Sequence, residues 1–241
     1  MNNNLELVYA FSKKLSKSHV KFEKTLDLFQ KSTIYNKRFH KLKIFSDKET
    51  LPFIEKFNIP IEVIEFEDFL FLDDIKIKVL PELTYNQVLI DYDVFLFSKL
   101  ILPTQCDVVL DRPDNINVWY IQELAESARQ YKFFELLDFN PKDDISGNIG
   151  LMKFFDKELE KNYIYFYNQL KNIAKLEKEM LPPFPSYSIL LGEIGLKNVI
   201  DKMGSILKFT STMDVNNYEH LAGPKKSDPD RWLKSLNKDI I

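Results

Sequence analysis

The feature that most constrains the fold of this chain is an apolar segment interrupted by two carboxylates. Residues 88–90 are apolar and lead into Asp91-Tyr92-Asp93, after which residues 94–97 continue the apolar run. Because unpaired carboxylates are costly to bury inside a sheet, the pattern predicts that Asp91 and Asp93 lie where a buried strand leaves its sheet. Two aspartates one residue apart can bind a hard divalent cation, which prefers oxygen ligands and keeps positions open for phosphate oxygens.

Short apolar segments alternate with longer amphipathic segments along the first half of the chain. The pattern predicts strands at residues 5–11, 42–45, 60–64, 88–97 and 106–110, and helices at residues 20–35, 49–57 and 74–85. Strands that alternate with helices indicate a mostly parallel sheet covered on both faces. Ligands bind such sheets at the carboxyl ends of the strands, and Asp91 and Asp93 fall at such an end.

The second half of the chain is less regular. It predicts helices at residues 118–134, 155–176 and 188–203, a loop at residues 143–150 and a late strand at residues 206–209. Prolines break the pattern at residues 181–185, and residues 224–241 form a polar, basic tail. Because no linker or internal repeat marks a boundary, we expect a single domain over residues 1–241.

Composition and charge exclude several classes of protein. The 241 residues include 33 basic and 36 acidic side chains, for a formal net charge of −3, so overall charge does not favour a nucleic-acid partner. The single cysteine, Cys106, excludes an intrachain disulfide framework and a multi-cysteine zinc site, and it favours a reduced, cytoplasmic setting. The polar start of the chain and its short apolar runs predict neither a signal peptide nor a transmembrane segment.

Residues 220–226 form a second group suited to a phosphorylated ligand. The imidazole of His220 is a good ligand for a transition metal. Gly223 permits close approach of the backbone to a phosphate, and Lys225 and Lys226 can neutralise a diphosphate. Together with the upstream aspartate pair, the spacing His-x-x-Gly-x-x-Lys indicates one site for a metal and a diphosphate.

With these two motifs the chain resembles glycosyltransferases of the GT-A fold. The resemblance rests on Asp91-Tyr92-Asp93 after an apolar strand. It rests equally on His220, Gly223 and Lys226, at the spacing seen in the glycogenin and lipopolysaccharide galactosyltransferase group. Residues 90–96 also look like an uncharacterised bacterial family of GT-A enzymes.

The chain departs from the pattern of the glycogenin-like group in two places. The Pro-Trp that often follows the last lysine of that group is replaced by Ser227-Asp228. Ile149 stands where a small residue usually precedes the glycine of the acceptor loop. The first departure makes the resemblance to the glycogenin-like group less close. The second makes the residues of the acceptor site less well defined.

The resemblance implies an α/β fold that is GT-A-like and Rossmann-like, with a mostly parallel sheet flanked by helices. Residues 1–115 would form a nucleotide-binding half, and residues 116–241 an acceptor half with the C-terminal metal and phosphate motif. The implied activity is transfer of a sugar from a UDP- or GDP-sugar to a glycan, lipid or protein acceptor that the sequence does not identify.

The same resemblance implies roles for individual residues. Asp91, Asp93 and His220 would hold Mn²⁺ or Mg²⁺ against the diphosphate of the donor. The other implied positions are Tyr9 and Asp47 near the nucleoside, Lys76 at the donor, Asn148 and Gly150 beside the sugar or acceptor, and Gly223, Lys225 and Lys226 at the phosphates. Glu193 is the single candidate for a base beside the acceptor.

Three other functions fit parts of the pattern. A phosphatase of the haloacid dehalogenase type also uses Asp-x-Asp, normally on its first strand and followed by Thr or Val, where this chain has Phe95. A nucleotidyltransferase that makes a nucleotide sugar would require a glycine-rich N-terminal loop, and residues 10–14 contain no glycine. The third is a degenerate GT-A domain that binds a glycan or a partner without catalysis.

Plainer interpretations apply to single residues. The aspartate pair could be a solvated strand end, His220 a satisfied polar residue, and Glu193 a structural residue of its helix. His19 and His40 lie among lysines, and we expect both at the surface.

Overall fold

The computed structural model describes residues 5–14, 22–66, 70–115, 126, 128–138, 145–176, 186–210, 218–221, 228 and 230–231. The strands are β1 (Glu6–Phe11), β2 (Lys41–Ser46), β3 (Ile61–Val63), β4 (Gln87–Ile90), β5 (Val94–Leu96), β6 (Val108–Leu110), β7 (Pro113–Asn115), β8 (Ile145–Gly147), β9 (Leu151–Phe154), β10 (Leu207–Phe209) and β11 (Tyr218–His220). The α-helices are α1 (Phe22–Asn36), α2 (Leu51–Ile54), α3 (Asp74–Val79), α4 (Lys157–Leu176), α5 (Ser186–Ile189) and α6 (Gly195–Met203). Turns of 3₁₀ helix span Glu55–Phe57, Leu80–Glu82 and Lys132–Leu136, and a π-helical turn spans Leu190–Ile194.

Seven strands form one sheet in the order β10-β6-β9-β4-β1-β2-β3. Its neighbours pair in parallel except at β9, which lies antiparallel between β4 and β6. The prediction of a mostly parallel α/β sheet is therefore confirmed. Two further ribbons lie outside the main sheet, one formed by β5 and β11 and the other by β7 and β8.

Apolar side chains cover both faces of the sheet, as expected for parallel strands. Side chains of β1 alternate between the two faces. Leu7, Tyr9 and Phe11 pack with Phe29 of α1 on one face, while Val8 packs on the other. On that second face, α4 contributes buried side chains at helical spacing, namely Leu159, Tyr163, Tyr167, Leu170 and Ala174.

The structure corrects three predicted elements and adds three strands. The strand predicted at residues 88–97 is two strands, because the chain turns at Asp91 and β5 leaves the main sheet to pair with β11. The predicted loop at residues 143–150 contains the short strand β8, and β7, β9 and β11 were not predicted. The helix predicted at residues 74–85 ends in a 3₁₀ turn around Pro81, whose ring lacks an N–H donor.

Some predictions fall on residues that the structure does not describe. The helix predicted at residues 118–134 is described only in part: residues 126 and 128 are helical, and the 3₁₀ turn Lys132–Leu136 overlaps the predicted end. Residues 181–185 and most of residues 224–241 lie outside the described part of the chain. Among the helices that the structure describes, none is long and apolar enough to cross a membrane.

His40 is buried, so the prediction that it lies at the surface is wrong. Its Nδ1 lies 3.2 Å from the carbonyl oxygen of Leu5, and its Nε2 accepts a hydrogen bond of 2.8 Å from the backbone N–H of Leu100. Because Nε2 accepts, the proton sits on Nδ1 and the ring is neutral. Burial, with repulsion from Lys99, lowers the pKa of His40 below its ordinary value, although the hydrogen bond to Leu5 opposes the shift.

We expect the free energy of unfolding to fall as the pH drops below the ordinary histidine value of 6.5. The unfolded chain takes up a proton at His40 that the folded chain resists, so acid favours the unfolded state. Urea unfolding above and below that pH measures the effect. The variant His40→Gln lacks the titrating ring and should lose stability less steeply with acid. Identical pH dependence in the two proteins would contradict this prediction.

Candidate metal centre

The three predicted metal ligands meet at the carboxyl edge of the main sheet. Asp91 follows the last residue of β4, and Asp93 immediately precedes β5. In the ribbon of β5 and β11, His220 is paired with Val94, and the N–H of Leu221 donates to the carbonyl oxygen of Asp93 at 3.0 Å. As a result, one possible ligand atom from each of Asp91, Asp93 and His220 lies within 4.8 Å of the other two.

His220 is held between two buried carboxylates. Its Nδ1 donates to Oδ2 of Asp111 at 2.7 Å, and its Nε2 lies 3.3 Å from Oδ1 of Asp93. Burial alone would lower the pKa of His220, but attraction to Asp93 and the hydrogen bond to Asp111 raise it to about 10. The ring is therefore protonated on both nitrogens at neutral pH, and a cation bound at Nε2 must displace one of these protons.

Asp111 is a site residue that the sequence interpretation missed. It follows β6 directly and is fully buried, and its carboxylate fixes the orientation of the His220 ring. A carboxylate that accepts the second N–H of a histidine is a common partner of metal-binding imidazoles. The available signal was its position directly after an apolar strand, the same position that singled out Asp91.

Gly150 and Asn148 shape the site from a tight turn before β9. A Cβ on Gly150 would lie 2.3 Å from Cε1 and 2.5 Å from Nδ1 of His220, so a side chain there would displace the ring. The carbonyl oxygen of Gly150 also accepts a 2.7 Å hydrogen bond from the N–H of Asp91. Asn148 stabilises the turn, because its Oδ1 accepts from the N–H of Gly150 at 2.8 Å. Contact of either residue with a sugar or acceptor stays a prediction.

Lys76 places a buried positive charge beside the aspartate pair. Its Nζ lies 2.8 Å from Oδ1 of Asp91 and 3.5 Å from Oδ1 of Asp73, and it donates to the carbonyl oxygen of Ile149 at 3.2 Å. Burial opposes the charge, but attraction to Asp91 and then Asp73 raises the pKa of Lys76 above its ordinary value. The side chain therefore stays charged and neutralises part of the negative charge of the site.

Glu193 lies close enough to Lys76 for its charge to act on that side chain. It is buried in the π-helical turn, and its carboxylate is among the charges that raise the pKa of Lys76. In the same turn, a Cβ on Gly192 would lie 2.4 Å from Oδ2 of Asp73, which also accepts a 3.0 Å hydrogen bond from Ser188. Glu193 is thus close to the site, and a catalytic role for it stays a prediction.

Tyr9 and Asp47 are not part of this cluster. The Tyr9 ring is buried, and its hydroxyl oxygen accepts a 2.6 Å hydrogen bond from Asn36 of α1. Both carboxylate oxygens of Asp47 accept local hydrogen bonds, Oδ1 from Thr50 and Oδ2 from Ser12. These bonds tie together the loops after β1 and β2. Contact with a nucleoside stays a prediction for both residues.

The other predicted phosphate contacts, Gly223, Lys225 and Lys226, lie outside the described residues. Within the described part of the chain, the donor set of two carboxylates and one imidazole fits a divalent cation such as Mn²⁺ or Mg²⁺. Asp91 is 23% exposed, whereas Asp93 is fully buried, so the cluster opens to solvent at Asp91.

The fold is similar to that of CTP:phosphocholine cytidylyltransferase (LicC) from Streptococcus pneumoniae, with a TM-score of 0.51 and 14% identity over 98% of this chain and 100% of that chain. The PaToxG glycosyltransferase gives a TM-score of 0.48 at 9% identity, over 83% of this chain and 69% of that chain. The apo form of the glycosyltransferase GlyE from Streptococcus pneumoniae TIGR4 gives 0.42 at 10% identity, over 86% of this chain and 45% of GlyE.

No protein-family model matches the chain, and no curated protein matches it in sequence. At 14% identity, the similarity to LicC concerns the fold alone. The GT-A-like, Rossmann-like α/β architecture expected from the sequence is confirmed.

Proposed function

We propose that this protein is a metal-dependent glycosyltransferase that uses a nucleoside-diphosphate sugar. The observation that carries the proposal is the convergence of Asp91, Asp93 and His220, with possible ligand atoms within 4.8 Å, at the carboxyl edge of a mostly parallel sheet. That edge is where open α/β sheets bind nucleotides and other ligands.

Each residue of the cluster has a distinct role in this proposal. Asp91, Asp93 and His220 would hold Mn²⁺ or Mg²⁺, with the His220 ring oriented by Asp111. When bound, the cation supplies Lewis-acid stabilisation of the charge that develops on the departing diphosphate. The ammonium of Lys76, buried beside Asp91, adds a second fixed positive charge. Glu193 is the candidate base toward an acceptor hydroxyl.

Two alternatives remain to be separated from glycosyl transfer. Nucleotidyl transfer is carried out on a similar fold by LicC, although residues 10–14, at the end of β1 and just after it, contain no glycine. A binding module without catalysis would keep the cluster and lack turnover. The phosphatase alternative is disfavoured, because its aspartates follow the first strand, whereas Asp91 follows β4.

The products of an assay with a panel of nucleotide sugars and Mn²⁺ separate these functions. Release of nucleoside diphosphate is expected for a glycosyltransferase, since many such enzymes slowly hydrolyse their donor. Incubation with nucleoside triphosphates and sugar phosphates should release pyrophosphate only if the protein is a nucleotidyltransferase. Nucleotide binding without either product would favour a binding module.

We expect UDP or GDP to bind more than about tenfold more tightly in Mn²⁺ than in EDTA, a difference of about 1.4 kcal/mol. The reason is that Asp91 and Asp93 repel a diphosphate unless a cation lies between them. Titration calorimetry in the two buffers measures both affinities. Equal affinity in Mn²⁺ and EDTA would refute the metal-dependent site.

A further inference from the structure

Two polar side chains near the C-terminal end of α1 form hydrogen bonds with the backbone of β5. The amide of Asn36 makes two bonds to that strand: its Nδ2 donates to the carbonyl oxygen of Val94 at 2.8 Å, and its Oδ1 accepts from the N–H of Leu96 at 2.7 Å. One helical turn earlier, the hydroxyl of Ser32 donates to the same carbonyl oxygen of Val94 at 2.7 Å. Asn36 thus pairs with β5 as a neighbouring strand would.

The opposite edge of β5 pairs with β11, the strand that carries His220. Backbone groups of successive strand residues point to opposite edges, so Asp93 and Phe95 face β11 while Val94 and Leu96 face α1. On the β11 edge, the carbonyl oxygen of Asp93 accepts from Leu221 at 3.0 Å, directly after His220. The strand β5 is therefore held by hydrogen bonds to α1 along one edge and to β11 along the other.

Apolar contacts reinforce this arrangement. Leu28 and Tyr35 of α1 form a buried cluster with Phe95 of β5 and Leu221 after β11. The rings of Tyr35 and Phe95 lie 5.4 Å apart in an edge-to-face arrangement. The same helix thus contacts β5 and the residue that follows β11.

We infer that Asn36 and Ser32 are positioning residues that set the geometry of the metal centre. Neither touches a proposed metal ligand side chain in the contacts described. They fix the backbone of β5, and through it the position of Asp93 and the pairing that brings His220 opposite Val94. The inference rests on the proposed function, because its consequence is the affinity for a divalent cation.

A matched control exists elsewhere in the chain. Asn198 of α6 makes the same two-point bond to a single backbone segment: its Oδ1 accepts from the N–H of Asp138 at 2.8 Å, and its Nδ2 donates to the carbonyl oxygen of Asp138 at 2.6 Å. Both asparagines are buried, Asn36 with 0% and Asn198 with 2% exposure. Asn198→Leu therefore removes a comparable pair of hydrogen bonds at a position that does not hold the ribbon of β5 and β11.

The experiment compares Asn36→Leu, the milder Ser32→Ala and the control Asn198→Leu in the full chain. Binding of Mn²⁺ alone is measured by electron paramagnetic resonance. Amide hydrogen exchange is measured on peptides covering residues 94–96 and 218–221 in the absence of metal. Ser32→Ala leaves the Asn36 amide in place, so it provides a folded variant if Asn36→Leu is too unstable to study.

We expect Asn36→Leu to weaken Mn²⁺ binding about tenfold or more, as is usual for residues that support metal ligands, and Ser32→Ala to weaken it less. Both should speed exchange in the two ribbon peptides, and Asn198→Leu should change neither readout. Unchanged Mn²⁺ affinity and exchange in Ser32→Ala and Asn36→Leu would overturn the inference. So would an equal loss of Mn²⁺ affinity in Asn198→Leu, because that result would reflect general destabilisation.

Failure of the proposed function gives a different result. If the unmodified protein does not bind Mn²⁺, the metal centre is refuted whatever the variants do. The exchange measurement then still decides whether α1 holds the ribbon, since it requires no metal. Faster exchange confined to the ribbon would support the conclusion that Asn36 and Ser32 hold β5, and unchanged exchange would refute it.

Discussion

Asp93→Asn is expected to lower metal-dependent release of nucleoside diphosphate on the order of a hundredfold or more while the protein still folds. The substitution keeps the size and shape of the side chain but removes a charge that the cation needs. Loss of metal stabilisation of the leaving diphosphate should cost several kcal/mol of barrier. The free energy of unfolding should fall, because the charge beside His220 is lost, but the protein should still fold, because His220 keeps its 2.7 Å hydrogen bond to Asp111.

The assay compares the unmodified protein and the variant with a panel of nucleotide sugars and Mn²⁺. Asp107→Asn is the matched control, because Asp107 lies at the opposite, amino end of β6 and accepts a hydrogen bond from Ile206. That variant should retain the activity of the unmodified protein. If Asp93→Asn and the unmodified protein release diphosphate equally, Asp93 is not at a catalytic metal and the central assignment is wrong.

His220→Ala is expected to have two separate effects. In the metal-free protein, the substitution removes the protonated imidazole that lies between Asp93 and Asp111, two carboxylates with no exposed surface. Removing one partner of a buried ion pair typically costs roughly 3–5 kcal/mol, so a drop of that order in the free energy of unfolding is expected. The same change should weaken binding of Mn²⁺ by roughly tenfold or more, since it deletes a ligand.

His40→Ala separates these two effects. It also removes a buried imidazole with two hydrogen-bond partners, Leu5 and Leu100, but outside the metal centre. It should destabilise the protein and leave Mn²⁺ affinity unchanged. Urea unfolding gives the stabilities, and calorimetry with Mn²⁺ gives the affinities. Normal Mn²⁺ binding by His220→Ala would return His220 to a purely structural role.

The alternation of strands and helices could be predicted from the sequence because the periodicity of apolar residues is a local property. The apolar run that ends at Asp91 located a buried strand and its exit from the sheet, and the structure has both. The spacing within α4 and α6 likewise predicted two helices correctly. Each of these conclusions depends on residues that are close to each other in the sequence.

The antiparallel strand β9 could not be predicted in this way. Its four residues, Leu151–Phe154, are all buried and carry no alternation, and they run almost directly into α4. Its position between β4 and β6 depends on pairing with segments far along the chain. Short buried strands give a weak local signal, since a short apolar run also fits a helix, and in β9 the run is interrupted by Lys153.

The candidate metal centre shows the same division. Local motifs singled out the positions of Asp91, Asp93 and His220. The contact of Asp111 with His220, the ion pair of Lys76 with Asp91 and the hydrogen bonds from Asn36 to β5 are visible only in the folded chain. His40 was assigned to the surface for the same reason. Whether a polar side chain is buried depends on partners supplied by other elements, and only the tertiary structure brings those partners within hydrogen-bond distance.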